Sequence, residues 1–135
     1  MNRVFVDTNV LLRFLTRDDA GQCERAERLF HEARDGGVVL VTGPPVLFEL
    51  AWTLRRAYKV PPRRVLEILS SLLAWGELEL TDRALVEAAV ERARVSGQEF
   101  ADAYVVALAE AVGASGVATF NERDFRALGA RLHGW

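Results

Sequence analysis

Apolar residues fall along this chain in two rhythms. Three short unbroken runs, Val4-Phe5-Val6, Val38-Val39-Leu40-Val41 and Gly116-Val117-Ala118-Thr119-Phe120, are rich in β-branched and aromatic residues. Runs of that length and type read as interior strands of a parallel sheet. Elsewhere apolar residues recur every three or four positions: Cys23, Ala26, Phe30 and Ala33; Leu47, Leu50 and Leu54; Val65, Ile68, Leu69 and Leu72. That spacing lays a single stripe along one side of a helix. The predicted helices cover Val10–Thr16, Asp18 to the Gly36-Gly37 break, Pro44 to Tyr58, the stretch after Pro61-Pro62, Arg83–Val95, Ala101–Val112 and Arg123–Leu128. Glu77–Leu80 alternates as a short strand does, and Arg131–His133 fits a last edge strand.

Strands that alternate with helices predict an α/β fold, a three-layer sandwich built on a parallel sheet. At 135 residues the chain has room for one domain with a real core, spanning 1–135, and not for two. The net charge of −2 gives no global positive field, so any contact with nucleic acid must rest on local patches. Cys23 is the only cysteine, which excludes an internal disulfide and a thiolate zinc site, and it fits as packing. The most apolar window, Ala101–Phe120, is interrupted by Asp102 and Glu110, so no membrane span is expected. No segment reads as a secretory signal, and the expected compartment is the cytoplasm.

Four acidic residues break otherwise apolar contexts. Asp7 closes the first run, Glu49 sits between Phe48 and Leu50, Asp102 between Ala101 and Ala103, and Asp124 just before Phe125. Each falls after a strand or early in the helix that follows it, and in a parallel sheet those positions share one edge, where ligands bind. Acids also occupy first helical turns for the helix dipole or as caps, which any one of these could be doing. Converging carboxylates need a cation, and an oxygen-only donor set points to Mg²⁺ or Mn²⁺. Such an ion would activate water and neutralise charge on a phosphate.

The ordered series Val6-Asp7-Thr8-Asn9-Val10-Leu11-Leu12, Phe48-Glu49-Leu50, Phe100-Ala101-Asp102-Ala103 and Ala118-Thr119-Phe120-Asn121-Glu122-Arg123-Asp124-Phe125 resembles the PIN-domain nucleases. Within them it is most similar to the VapC-type toxins of toxin–antitoxin pairs. The resemblance covers essentially the whole chain. It implies Mg²⁺- or Mn²⁺-dependent cleavage of single-stranded RNA leaving a 5′-phosphate, a cognate antitoxin whose tail blocks the pocket, and a homodimer. It also implies that Asp7, Glu49, Asp102 and Asp124 form the catalytic metal site, with Asn9 and Thr119 as polar support. Asn121 departs from the pattern, because many relatives carry Asp there; Asn offers an oxygen and no charge, which weakens a second metal position. Glu99, one helical turn before Asp102, either joins the site or completes a capping box with Ser96.

A basic cluster, Arg55, Arg56, Lys59, Arg63 and Arg64, surrounds the turn between two helices, and Arg13 and Arg17 follow Asp7 closely. Arg13, Arg17, Arg55, Arg56 and Lys59 are candidates for contact with an RNA backbone, and equally for solvated helix ends. Trp52 and Tyr58 fit core or interface better than base stacking, and His31 and His133 fit the surface. Two rivals belong to other classes. A catalytically silent PIN-like module would bind a partner without cutting RNA. A phospho-receiver would need its acceptor Asp after a middle strand, whereas the second run ends in Val41-Thr42-Gly43.

Overall fold

The computed structural model describes residues 2–135. Three strands, β1 (Asn2–Phe5), β2 (Val38–Thr42) and β3 (Leu78–Leu80), pair in the order β1-β2-β3, all parallel. Seven helices surround them among the described residues: α1 (Thr8–Thr16), α2 (Ala20–Arg34), α3 (Pro44–Arg56), α4 (Pro62–Leu73), α5 (Arg83–Ser96), α6 (Phe100–Ala111) and α7 (Glu122–Ala127). In β2, Val38, Leu40 and Thr42 are buried on one face and Val41 on the other. A strand buried on both faces is the middle layer of a three-layer sandwich. The α/β reading of the pattern therefore holds.

The helical stripes close the core as their spacing predicts. Cys23, Ala26, Phe30 and Ala33 are buried on α2, Leu47, Leu50 and Leu54 on α3, and Val65, Leu69 and Leu72 on α4, where Ile68 is only half-buried and Leu66 is buried beside it. The starts follow local chemistry. Asp19 caps α2 by accepting from the Gln22 amide at 3.0 Å. Proline opens α3 and α4, where its missing N–H leaves no bond unmade.

Several expectations need correction. β1 is an edge strand, with Phe5 60% exposed, rather than an interior one. Gly116–Phe120 and Arg131–His133 do not form strands; they meet at a single parallel bridge, Val117 to Leu132. The Val117 amide donates to the Arg131 carbonyl at 2.8 Å and the His133 amide to the Val117 carbonyl at 2.9 Å. Ala118 and Phe120 lie exposed, so beyond that pair no apolar face holds more of the ladder together. Trp75 is half-buried, stacked on Phe14 at 5.9 Å and against the edge of Phe30 at 4.8 Å between ring centres. Ser96 and Glu99 form no capping box. The Ser96 hydroxyl accepts from the Gln98 amide at 3.2 Å, while Glu99 is itself the residue that precedes α6 and is drawn to Arg55.

Candidate active site

The carboxyl ends of the strands are stitched together by backbone and one hydroxyl. The Val6 amide donates to the Val41 carbonyl at 2.8 Å, the Thr81 amide to the Thr42 carbonyl at 3.0 Å, and the fully buried Thr42 hydroxyl to the Val6 carbonyl at 2.9 Å. Asp7 emerges from this edge in extended conformation, caps α1 by accepting from the Thr8 amide at 2.8 Å, and keeps its side chain exposed. Thr8 behind it is buried, and its hydroxyl has no partner among the described residues. A buried orphan oxygen costs about 1–3 kcal/mol unless a water or ligand meets it.

Glu49 lies exposed on α3, and its neighbour Phe48 packs against Phe100 and Tyr104 of α6 at 5.5 and 5.0 Å between ring centres. Arg55, one and a half turns further along α3, grips Glu99 with Nε and Nη2 at 3.1 and 3.0 Å. These contacts dock α3 against the start of α6, which carries Asp102 in its first turn. Asp102 is half-buried. Burial raises its carboxyl above the usual range, and the carboxylates of Asp124 and Glu99 raise it further. Asp102 and Asp124 are thus brought within each other's field. α7, which carries Asp124, is anchored by buried Phe125 and Leu128 and by Arg92 of α5, which donates to the Leu128 carbonyl at 2.8 Å and pairs with Glu110 at 2.6 Å. Among the described residues no three His, Cys, Asp or Glu side chains stand together closely enough to hold a metal ion.

Asn121 donates from its amide nitrogen to Asp124 at 3.1 Å, and its own backbone amide is held by the Thr119 hydroxyl at 3.0 Å. Asn at this position therefore steadies Asp124, where Asp would repel it. Asn9 lines a cleft of about 440 Å³ between α1 and α2, together with Val10, Arg13 and Gln22.

The basic residues divide into two kinds. Arg13 is consumed by Gln22 at 2.6 Å and by Asp18 at 2.9 Å. Tyr58 donates to the same Asp18 carboxylate at 2.6 Å, and this contact, with the Thr16 hydroxyl and then Arg13, holds that carboxyl below its ordinary range. Arg17 is paired with Glu27 and Arg55 with Glu99. Arg56 and Lys59 are exposed and have no ion-pair partner among the described residues. Tyr58 ties α3 to the α1–α2 turn, whereas Trp52 stands 63% exposed on α3.

Some members of this region escaped the sequence reading. Thr42 looked like the end of a strand; only the fold shows its hydroxyl bonding back to Val6. Asp82 follows β3 at the same sheet edge and faces Tyr104, whose hydroxyl is raised by burial first and by Asp82 second. Phe120 and Trp135 stack with ring centres 5.1 Å apart and planes 8° apart, in the open. Their separation in sequence hides the pair, although an aromatic in the Thr-Phe-Asn turn with no buried neighbour was a usable signal.

No described helix is long and apolar enough to cross a membrane. No curated protein matches the chain as a relative. The family profile described as PIN domain matches residues 4–130. PIN domains are in general nucleases that act on nucleic acid, typically with divalent metal ions. The chain belongs to the PIN domain family.

Proposed function

We propose that the whole chain, 1–135, is one nuclease domain that cuts single-stranded RNA with Mg²⁺ or Mn²⁺, and that it is the toxin of a toxin–antitoxin pair acting in the cytoplasm. The observation that carries this reading is Asp102 at the start of α6, half-buried and facing the Asp124 carboxylate of α7, where burial first and Asp124 second raise the cost of ionising it. A hard divalent ion relieves that cost, and the oxygen-only donor set suits one. The orphan hydroxyl of Thr8 beside Asp7 marks a second place where an added oxygen ligand or water gains a bond. Asp102 and Asp124 would hold the ion, with Asp7 and Glu49 completing its shell. When bound, the ion supplies water activation and charge neutralisation at the phosphate. Thr42 fixes the exit of β1 and so the direction of Asp7; Arg55 holds Glu99, one of the carboxylates that face Asp102; Asn121 steadies Asp124. Thr119 in turn holds Asn121, and Asn9 would support the site from the first turn of α1.

Cleavage of a labelled single-stranded RNA in Mg²⁺, in Mn²⁺ and in chelator tests the reading. Metal-dependent cutting with a 5′-phosphate on the product supports it. One observation favours the silent binding module instead, namely that no three acids are gathered as ligands among the described residues. RNA binding with no cutting in either metal would establish that rival. The receiver reading loses its ground in the topology: β2 is the middle strand, and it ends in Thr42 and Gly43.

Arg56 and Lys59 carry the contact with the RNA backbone in this proposal, since Arg13, Arg17 and Arg55 are already engaged. Replacing both with Ala should weaken RNA binding and reduce the slope of log affinity against log salt by about one to two, one condensed ion per lost contact. An unchanged slope in a fluorescence titration at several salt concentrations would show that they are merely solvated.

A homodimer is part of the same proposal. Trp52 on α3, with Val105 and Leu108 on the adjoining α6 and Val112 just past its end, leaves large apolar side chains exposed on two packed helices. Obligate interfaces have that character. Trp52→Glu should convert a dimer to monomer by sedimentation at micromolar concentration, and a wild-type chain that sediments as monomer would refute the dimer. The antitoxin partner is expected to place its tail over the acid pocket, so it should suppress cutting and sediment as a heavier complex with the dimer.

A further inference from the structure

We propose that Phe120 and Trp135 form a stacking platform for an unpaired base of the nucleic-acid strand, immediately beside the acid pair. The inference rests on the nuclease reading and adds how the strand is gripped. Phe120 is 92% exposed and Trp135 is 73% exposed, although the two rings lie parallel at 5.1 Å between centres. His133 meets the edge of Trp135 at 5.7 Å and so braces its plane. The pair buries almost nothing against the core, so it contributes little to folding there, and a planar apolar surface left in water marks a binding surface.

Its position identifies the occupant. Phe120 directly precedes Asn121, which donates to Asp124 at 3.1 Å, so the rings begin one residue from the pocket where a phosphate would be cut. The bridge from Val117 to Leu132 brings the segment bearing Trp135 back alongside that turn. Arg123 and Arg131, in the same two segments, make no ion pair among the described residues. Aromatic faces interleaved with free cations are what a single strand needs, because every base has a π-face while the backbone follows the charge. A duplex keeps its bases stacked on each other and offers none to the platform.

Affinity for a labelled single-stranded 12-mer RNA, an abasic strand of the same length and a duplex, measured in chelator and again with Ca²⁺, tests the inference. Phe120→Ala and Trp135→Ala should each weaken the single strand about 5- to 100-fold. The abasic strand, the duplex and the salt slope should not change. Phe120→Trp and Trp135→Phe should restore most of the affinity, since they keep a ring. Both positions are exposed, so the melting temperature should hold. Unchanged affinity in the Ala variants of a protein whose wild type binds would overturn the platform and leave the nuclease intact. An equal loss on the abasic strand would show that the pair only shapes the loop, and a change of oligomeric state in its place would assign the rings to a second copy. A wild-type protein that neither binds nor cuts the single strand would overturn both readings.

Discussion

Asp102→Asn should abolish RNA cleavage, at least a hundredfold, while leaving the metal-free protein as stable as wild type or slightly more so. Burial and the neighbouring carboxylates of Asp124 and Glu99 raise the folded-state affinity of Asp102 for its proton. The folded state then binds more protons than the unfolded one between the ordinary carboxyl value and the raised one. Stability from this residue therefore falls as pH rises through that window, and at neutral pH the ionised Asp102 opposes folding. Asn removes that opposition. Metal reverses the balance: an ion that binds only the folded wild type adds about 2.7 kcal/mol at a hundred times its dissociation constant. At this size that is a melting shift of roughly 5–10 °C. Asp102→Asn should lose most of the shift, and Asp7→Asn should lose both the shift and the cutting. Melts of the three proteins in Mn²⁺ and in chelator decide the matter. A full Mn²⁺ shift in both variants would mean that the acids cap helices and hold no metal.

The second large effect concerns the platform beneath Glu49. Leu50 is completely buried on α3 and belongs to the core shared with β2 and α6. Leu50→Ala should cost about 2–5 kcal/mol, the lost transfer energy plus the cavity left behind, which lowers the melting temperature by roughly 10 °C. Glu49→Gln at the adjacent exposed position should leave stability within about 0.5 kcal/mol of wild type while impairing cutting. Urea unfolding of the two variants separates the residue that builds the helix from the one proposed to act from it. A Leu50→Ala protein as stable as wild type would mean that α3 is held by its termini alone.

What could be read from the sequence follows from what periodicity reports. Burial has a period, so the stripes of α2, α3 and α4 were visible before any fold was known. Asp18 and Asp19 before an apolar stripe marked the start of α2 to within a residue of its cap. Pairing has no period, and the errors lie there. Val117 to Phe120 has the composition of a strand, yet it finds only one partner residue. The acids were conspicuous because each interrupts an apolar context. What each one meets was not, since Glu99 to Arg55 spans forty-four positions and Arg13 to Tyr58 forty-five. The same limit hid which cations are free: composition counts charges, and only contacts show that Arg13, Arg17 and Arg55 are engaged.

The way α7 is moored should make the proposed Asp102–Asp124 pair less durable than the fold that carries it. Asp102 rides on a helix packed into the centre, whereas Asp124 lies in a stretch held by Phe125, Leu128, the Arg92 contact and one bridge. Regions with few buried apolar contacts open by sub-global unfolding at a fraction of the global free energy. The two carboxylates are therefore expected to fall in different cooperative units, with the pair present only while the weaker unit is closed. Heat or denaturant applied to this protein would extinguish the pocket first and the core later, so amide hydrogen exchange at Val117 and His133, rather than the melting of the helices, reports how long an assembled pocket lasts.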